Sequence, residues 1–347
     1  LPTEILMYIC DFVDAKTIIK SLCKVCQAFQ LIFSGDVYWK LRIFKRWPEQ
    51  YPAVSVDDFD WKEGCIARED YNRKWQNPEE YYHHISYSAG LFAAVDAVHL
   101  MKNGSILAAG SRDRYLTVLN LDRYDSDQPV DSMKDMLVYS DRKEHTGWIW
   151  SLASVDNQLA TGSWDTFIKL WDVDAGCESI SKFKCKSAVL SLYMEPGFIA
   201  AGSYDKCLNL IDPRDGKVDS KRLHRQPVLC VAGDDKYIIT GSEDKTIKIY
   251  DRRAGSLYKT LEDCYPLDLN YGDNQLWFGD KTGNLHLINT THGDFNMVAT
   301  YDVGHTGKLT GVQRTPGSIF TSSSDNTIKV LQPTLNPTAM TTLKHHD

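Results

Sequence analysis

The chain has 347 residues and a formal net charge of −7, and 43% of its residues are hydrophobic. This length fits a small module joined to one larger domain, and the apolar fraction suffices for a sizeable core. A weakly acidic chain gives no reason to expect a nucleic-acid surface, which needs clustered Lys and Arg. No apolar run approaches the ~18 residues of a membrane span, so we expect no membrane segment.

The nine cysteines are scattered without a disulfide framework. In a chain of this length they are typical of free thiols in a reducing compartment, so we expect an intracellular protein, cytoplasmic or nuclear or both. Cys23 and Cys26 form a C-x-x-C pair, but no second pair follows at a zinc-site spacing, and we expect neither a metal nor a cofactor. No signal peptide is visible, and because the chain begins at Leu1 without a methionine, we expect that a preceding segment was trimmed.

Before about residue 90, apolar residues recur at helical spacing. The first helix face consists of Ile5, Leu6, Ile9, Phe12 and Val13. A second segment continues the pattern with Ile18, Ile19, Leu22, Val25, Cys26 and Phe29. Pro2 and Glu4 suit the first turn of a helix. Short helices with such broad apolar faces are unstable alone, so they must bury those faces against each other or against a partner.

From about residue 94, a repeated block replaces the helical period. Its turn reads G-S-x-D in four copies and S-S-x-D in a fifth, at residues 110–113, 162–165, 202–205, 241–244 and 322–325. The alternating apolar stretch after each turn predicts strands over residues 116–121, 168–172, 208–212, 247–251 and 328–331. A degenerate copy spans residues 279–289.

The turns at 110, 162, 202, 241, 279 and 322 are 52, 40, 39, 38 and 43 residues apart. A strand-rich repeat of about 40 residues is typical of a four-stranded propeller blade. The longer first interval predicts a surface loop over residues 122–135. Residues 82–87 are a candidate outer strand of a closing blade, and a seventh blade would need three strands beyond Asp347, so six and seven blades both stay open.

Three blocks share a His, a Thr and an Asp at fixed offsets, with the His 20 residues before the turn Asp. These residues are His145, Thr161 and Asp165; His224, Thr240 and Asp244; and His305, Thr321 and Asp325. Trp171 completes the first set. The combination is similar to a catalytic triad, but one active site would not recur on successive blocks. We interpret the sets as structural hydrogen bonds and expect no catalytic residues.

Several motifs over residues 1–41 occur together in order. They are Leu1-Pro2-Thr3-Glu4-Ile5-Leu6, Ile9, Phe12-Val13-Asp14, Val25-Cys26 and Val37-Tyr38-Trp39-Lys40-Leu41. In this combination they resemble an F-box. The sequence departs from that pattern at Thr17, where Leu is usual, and at Phe29, where Trp is more frequent.

The later blocks, with Ile168-Lys169-Leu170-Trp171-Asp172 among them, resemble WD repeats. The intervening segment, with Trp61, Lys62 and Arg68, is similar to the helical linker of F-box/WD-repeat proteins. The resemblance implies an α + all-β multidomain chain. Its expected parts are an N-terminal helical F-box at 1–41, a helical linker at 42–81 and a WD-repeat β-propeller of six or seven blades at 82–347.

The resemblance also implies a role as the substrate-recognition subunit of an SCF-type ubiquitin ligase. In that role the F-box binds a Skp-type adaptor of the cullin ligase core, the propeller binds the protein to be ubiquitinated, and the subunit is not an enzyme. The alternative is a non-catalytic WD-repeat scaffold for another protein assembly. The residues expected to face the adaptor are Leu1, Pro2, Ile5, Leu6, Ile9, Val13, Leu22 and Val25. Internal packing is the alternative for Ile5, Ile9 and Leu22.

In WD-repeat propellers, the residue before the turn Asp points to the partner-binding rim, which here implies Arg112, Trp164, Tyr204, Glu243 and Ser324. Turns favour small polar residues, so the two aromatic residues are unexpected. Trp148 and Trp150, two apart, lie on one side of a strand with Ile149 on the core side.

Aromatic residues and Arg dominate binding hot spots. We therefore predict a substrate-binding set of Arg112, Trp148, Trp150, Trp164, Tyr204, Glu243 and Lys308. Packing of the rings between blades is the alternative. The mixed charges favour a non-phosphorylated or singly charged segment over a phosphorylated motif, which would call for an Arg cluster.

Overall fold

The computed structural model describes residues 2–55, 59–82, 84–87, 93–125 and 134–344. In these ranges, an N-terminal helical region of about 80 residues precedes six four-stranded antiparallel sheets, which form a six-bladed β-propeller. The chain divides into two compact units. One comprises residues 1–84 with 270–347, and the other comprises residues 85–269.

The helical region contains six described α-helices. They are α1 (Thr3–Cys10), α2 (Ala15–Lys20), α3 (Gln27–Ser34), α4 (Asp36–Arg46), α5 (Trp61–Gln76) and α6 (Pro78–Tyr81). Side chains fix two helix starts, because Asp14 accepts from the Thr17 amide and Asp60 from the Glu63 amide, both at 2.8 Å. The second helical segment expected from the spacing is divided, since a 3₁₀ turn at Leu22–Lys24 separates α2 from α3.

The helices share one core built around Trp39, which is fully buried. Its indole N–H donates to the carbonyl of Phe33 at 3.0 Å. Ile18, Ile43 and Cys65 are buried in the same core. Because Cys65 belongs to α5, this longer helix is packed together with the short helices that precede it.

Blades 1 to 4 each consist of four consecutive strands. Blade 1 comprises β1 (Val95–Met101), β2 (Ile106–Ser111), β3 (Leu116–Asn120) and β4 (Leu137–Asp141). Blade 2 comprises β5 (Ile149–Val155), β6 (Gln158–Ser163), β7 (Phe167–Asp172) and β8 (Glu178–Lys184). Blade 3 comprises β9 (Val189–Glu195), β10 (Phe198–Ser203), β11 (Cys207–Ile211) and β12 (Val218–Arg222). Blade 4 comprises β13 (Val228–Gly233), β14 (Tyr237–Ser242), β15 (Ile247–Asp251) and β16 (Ser256–Leu261).

Blades 5 and 6 repeat the same order. Blade 5 comprises β17 (Asp268–Gly272), β18 (Gln275–Gly279), β19 (Asn284–Asn289) and β20 (Asn296–Asp302). Blade 6 comprises β21 (Leu309–Arg314), β22 (Ile319–Ser323), β23 (Thr327–Leu331) and β24 (Ala339–Lys344). The helix α5 contacts blade 6, where the rings of Tyr71 and Trp75 each lie 6.2 Å from that of Phe320.

Close packing of the following blade explains the turn glycines Gly110, Gly162 and Gly279. A Cβ added to Gly110 would lie 2.4 Å from Ile149, and one added to Gly162 would lie 2.6 Å from Val189. Gly279 of blade 5 meets Leu309 of blade 6 in the same way, at 2.2 Å. A side chain at any of these positions would overlap the neighbouring sheet, so the repeat requires glycine there.

The predicted propeller is confirmed, with six blades in the described ranges. The strands predicted after the five turns agree with β3, β7, β11, β15 and β23 within one residue at each end. The candidate outer strand over residues 82–87 is wrong for the part described, because Tyr82 and residues 84–87 carry no strand. Blade 6 instead obtains its fourth strand from β24. Within the predicted loop over residues 122–135, residues 126–133 lie outside the described ranges.

Candidate functional site

The residues predicted to face an adaptor fall into exposed and half-buried groups. The exposed residues are Pro2, Ile5, Ile9 and Val25. The half-buried residues are Leu6, Val13 and Leu22. Val13 and Leu22 pack against the helical core. Leu1 lies outside the described residues. The exposed group therefore presents an apolar surface on the first helices.

Further large apolar side chains of the helices are exposed and were absent from the prediction. They are Tyr8, Phe12, Leu31, Val37, Leu41 and Phe44. We call these six residues, together with Ile5, Ile9 and Val25, the exposed helical set. Phe12 lies on the helix face that the spacing predicted, so the pattern contained a signal for it. Leu31 and Leu41 belong to α3 and α4, where spacing alone did not separate exposed from buried sides.

Four predicted rim residues form one aromatic cluster in blades 2 and 3: Trp148, Trp150, Trp164 and Tyr204. The ring centroids of Trp148 and Trp150 are 6.4 Å apart, with planes 20° from parallel. Trp164 lies 5.5 Å from Trp148 and 5.8 Å from Trp150. Tyr204 lies 5.9 Å from Trp164. Trp150 is half-buried and the other three rings are exposed, so the aromatic cluster offers ring surface to a ligand.

A repeated backbone hydrogen bond places the turn residues. The amide N–H of Trp164 donates to the carbonyl of Trp148 at 2.9 Å, and that of Tyr204 donates to Ala188 at 2.9 Å. The amide of Arg112 donates to Ala94 at 3.0 Å in blade 1. These bonds hold each turn against the residue that precedes or begins its own inner strand. The aromatic residues are therefore carried at equivalent positions of successive blades.

A β-bulge places Trp150. In the ladder between β5 and β6, Ile149 pairs with Ser163 and Ser151 pairs with Gly162, which makes Trp150 the extra residue. Bulges redirect the side chain of the extra residue and are frequent beside functional sites. Asp96 of β1 occupies the same kind of position in blade 1. Ile149 is fully buried, as predicted.

Arg112 joins the aromatic cluster from blade 1. Its guanidinium carbon lies 5.3 Å from the ring centroid of Trp148 and 5.6 Å from that of Trp150, in cation–π range. Nε of Arg112 donates to Oδ2 of Asp96 at 2.8 Å, and Nη2 donates to Oδ1 at 3.0 Å. Asp96 was absent from the predicted set. Its carboxylate is thus paired in bidentate fashion with the cation that contacts the rings.

The other two members of the predicted set lie at different positions in their blades. Glu243 is exposed in blade 4, where its amide donates to the carbonyl of Pro227 at 3.1 Å. Lys308 is exposed beside blade 6, where its amide donates to Oγ of Ser324 at 2.9 Å. Lys308 belongs to the other compact unit. Direct contacts thus join Arg112 to Trp148 and Trp150 of the aromatic cluster.

Comparisons with known proteins agree with this architecture. A model of the WD domain, G-beta repeat, matches residues 137–172 and 218–251. The chain is 37% identical to F-box/WD repeat-containing protein 9 of Bos taurus over 350 residues, which cover 100% of this chain and 76% of that protein. It is 37% identical to the Homo sapiens protein of the same name over 348 residues, which cover 99% of this chain and 76% of that protein.

The chain belongs to the F-box/WD repeat-containing protein family. The family assignment made from the sequence motifs is confirmed. A solved structure described as the crystal structure of a mitotic checkpoint complex contains a chain with a TM-score of 0.60 and 19% identity. The match covers 69% of the present chain and 74% of the other, and at this identity it shows the fold alone.

In this F-box/WD repeat protein, the repeated His, Thr and Asp are hydrogen-bonded in three blades. In blade 2, Nδ1 of His145 lies 2.8 Å from the Asp165 carboxylate, and Nε2 lies 2.7 Å from the Thr161 hydroxyl. The indole N–H of Trp171 donates to Thr161 at 3.1 Å. Blades 4 and 6 repeat the two His contacts with His224, Thr240 and Asp244 and with His305, Thr321 and Asp325.

Burial alone would raise the pKa of the Asp165 carboxyl, but hydrogen bonds outweigh it. His145 and the amides of Phe167 and Thr146 lower this pKa to about 2. The pKa of Asp244 is lowered by bonds to Thr246, Arg225 and His224 that also outweigh burial. Both carboxylates are therefore held ionised by their own turns.

Blade 5 of this F-box/WD repeat protein has a different pair, which sequence reasoning missed. Nε2 of His286, on β19, lies 2.9 Å from Oδ2 of Asp280. The ring of His286 stacks on Phe278 at 4.4 Å. The signal was the Asp that directly follows Gly279, at the position that serine occupies in the four G-S-x-D turns. The His comes after this Asp along the chain, so the offset of 20 residues could not find it.

All nine cysteines are free thiols in the described ranges. Among these same residues, no three His, Cys, Asp or Glu side chains are grouped so as to hold a metal ion. No helix of the described chain has both the length and the apolar character of a membrane span.

Proposed function

We propose that this F-box/WD repeat protein is the substrate-recognition subunit of an SCF-type ubiquitin ligase. Its F-box (1–41) would bind a Skp-type adaptor of the cullin ligase core, its linker (42–81) would follow, and its propeller (82–347) would bind the protein to be ubiquitinated. The observation that carries the proposal is the exposed helical set, which lies on an F-box in a chain that also contains a propeller.

The exposed helical set supports binding of a protein partner. Nine large apolar side chains on a module of fewer than 50 residues are exposed to solvent. Soluble monomers rarely expose large contiguous apolar patches, and such surface commonly marks a protein interface. Ile5, Ile9 and Val25 are the members that were also predicted from the sequence to face the adaptor. We assign these three to the adaptor contact, with Pro2 beside them.

The aromatic cluster supports binding of a second partner on the propeller. Its rings contact one another, yet three of them stay exposed, so packing between blades does not account for them. Trp and Tyr supply large contact areas at low conformational cost and dominate hot spots. We assign the substrate contact to the aromatic cluster with Arg112, and we place Glu243, at the turn of blade 4, and Lys308, before the inner strand of blade 6, in the same role.

The proposed subunit is non-catalytic and intracellular, in the cytoplasm or the nucleus or both. The His, Thr and Asp sets recur with the same contacts in three blades, which is the behaviour of a structural element. Nine free thiols suit a reducing compartment. The net charge of −7 gives no support to a nucleic-acid partner.

The test is recovery of the ligase core with the full chain. Co-expression with a Skp-type adaptor and a cullin should yield one complex, and Ile9→Asp should abolish it by placing a charge in the apolar contact. Ile180→Asp is the matched control, because Ile9 is 48% exposed and Ile180, on β8, is 49% exposed. The control variant should recover the complex in full.

The recovered proteins distinguish the ligase role from the scaffold alternative. If the wild-type chain recovers neither adaptor nor cullin, the ligase role is wrong. Recovery of the adaptor without the cullin favours the alternative, a non-catalytic WD-repeat scaffold for another protein assembly. Equal recovery by Ile9→Asp and wild type would show that the exposed helical set does not carry the contact.

A further inference from the structure

The aromatic cluster has a geometry and a charge balance that define the chemistry of its ligand. We propose that it binds an unphosphorylated, proline-containing segment of the substrate in an extended conformation. This inference rests on the proposed function, since it names the class of segment that the propeller of such a receptor would bind.

The charge balance selects a neutral segment. Arg112 is the cation in contact with the rings, and its Nε and Nη2 atoms both donate to the carboxylate of Asp96. A phosphate would have to displace Asp96 from Arg112 and would be repelled by it. A substrate Lys or Arg would meet the positive charge of Arg112 on the same two rings. Ions of either sign are therefore disfavoured.

The exposed ring faces suit proline. Trp148 and Trp150 have nearly parallel rings with centroids 6.4 Å apart. A polyproline II helix has three residues per turn, so every third residue lies on the same face of the segment. Such a face packs on aromatic side chains. Proline has no amide N–H, so laying it on an apolar surface leaves no donor without a partner.

Tyr204 and Trp164 extend the cluster beyond this pair. Trp164 is tilted by 58° to Trp148 and by 67° to Trp150, and Tyr204 is tilted by 44° to Trp164. The four rings thus form an uneven aromatic surface and not one plane. Aromatic side chains bind polyproline II segments at low entropic cost, because the segment is already extended when free.

The first experiment measures binding of fluorescein-labelled decaproline to the full chain by anisotropy. Tyr204→Ala should weaken binding about tenfold, the loss expected for one hot-spot ring. Tyr258→Ala is the matched control, because Tyr204 is 52% and Tyr258 50% exposed, and Tyr258 lies on the outer strand β16. The control should bind as the wild type does. Equal affinities of wild type and Tyr204→Ala, or no binding of decaproline by the wild type, would overturn the proposal.

The second experiment tests the charge balance with paired nonapeptides, Ala-Ala-Pro-Pro-Ser-Pro-Pro-Ala-Ala with and without phosphate on the serine. The wild type should prefer the unphosphorylated peptide. Asp96→Asn frees Arg112 and should improve binding of the phosphopeptide at least tenfold. A wild-type preference for the phosphopeptide would overturn the proposal. Circular dichroism of Asp96→Asn checks its fold, and Asp96→Glu, which keeps the charge, should restore the wild-type preference.

The two proposals fail separately. The ring variants leave the F-box unchanged, so recovery of the adaptor should be the same for Tyr204→Ala and wild type. If the wild type recovers the adaptor but binds no peptide, only the proposal for the aromatic cluster is overturned. Normal peptide binding without recovery of adaptor or cullin removes the ligase role and leaves the chemistry of the aromatic cluster in place.

Discussion

Arg42 and Glu69 form a buried ion pair, in which Nε of Arg42 donates to Oε1 of Glu69 at 2.6 Å and the side chains are 1% and 9% exposed. The second carboxylate oxygen, Oε2, accepts from the amide of Ala15 at 2.8 Å. Since Ala15 begins α2, Arg42 lies on α4 and Glu69 lies on α5, one carboxylate connects three helices. The carboxylate of Glu69 thereby holds the start of α2 and the guanidinium on α4 against α5.

Glu69→Gln is expected to destabilise this compact unit by about 3 kcal/mol, because it leaves the Arg42 charge buried without its counter-ion. Asp70→Asn is the matched control on the same helix. Asp70 pairs with Arg73 and Lys74, whose side chains are half exposed, and such pairs contribute at most about 1 kcal/mol. Urea unfolding followed by circular dichroism measures both variants. Equal losses of unfolding free energy in the two variants would mean that the buried ion pair contributes no more to stability than the exposed pairs do.

Gly162→Ala is expected to destabilise the propeller by about 1–3 kcal/mol, because its Cβ would lie 2.6 Å from Val189 of the next blade. Gly272→Ala is the control, since nothing lies within 4 Å of an added Cβ there. The melting temperature of each variant measures the effect. An equal fall for Gly272→Ala would show that contact with the next blade does not explain the effect, since Gly→Ala at an open position without a positive φ is expected to be neutral or stabilising.

Acidification should destabilise the turn of blade 2, because it protonates the Asp165 carboxylate. The pKa of Asp165 is about 2 in the folded chain, below its ordinary value of 3.8. A carboxyl with a lowered pKa stabilises the fold fully above about pH 4, and this contribution is lost as the pH falls from about 4 to about 2. Asp165→Asn should therefore cost up to about 2 kcal/mol at pH 7 and progressively less toward pH 2.

The matching variant for this pH experiment is Asp205→Asn in the equivalent turn of blade 3. The residue 20 positions before Asp205 is Cys185, where blade 2 has His145. Unfolding free energies of both variants and the wild type, measured from pH 7 to pH 2, give the comparison. A difference between Asp165→Asn and wild type that stays constant over this range would contradict the role of the ionised carboxylate.

Tyr51→Phe should weaken the attachment of the linker to blade 6. The Tyr51 hydroxyl donates to the carbonyl of Pro316 at 2.9 Å, and burial raises the pKa of this hydroxyl, so it stays protonated. Its loss is expected to cost about 1 kcal/mol. Tyr258→Phe, on an exposed ring, should cost less than about 0.5 kcal/mol. Thermal unfolding measures both, and a larger effect for Tyr258→Phe would argue against the bond.

Repetition made much of the propeller predictable. The five turns predicted the position of the strand that follows each. The offset of 20 residues predicted the pairing of His145 with Asp165 from the sequence alone. The aromatic residues of the cluster were also found, because Trp164 is unusual in a tight turn. These predictions depend on local sequence or on comparison between copies, which a single sequence contains.

Contacts between unlike elements were not predictable. The pairing of Arg112 with Asp96 depends on a β-bulge, and the sequence alone did not indicate this ion pair. The contact of Tyr71 with Phe320 joins positions about 250 residues apart, which no periodicity relates. The exposed sides of α3 and α4 depend on how the helices pack, so Leu31 and Leu41 could not be separated from core residues by spacing.

The glycines at or next to the ends of β2, β6 and β18 also couple the stability of neighbouring blades. Ile149 fills the space beside Gly110, Val189 fills the space beside Gly162, and Leu309 does the same beside Gly279. If one sheet unfolded, the backbone around the glycine of the preceding sheet would therefore be exposed to solvent. Such nearest-neighbour coupling favours cooperative opening of adjoining blades. Amide hydrogen exchange of β6 should accordingly accelerate when blade 3 is destabilised, although no residue of β6 has been changed.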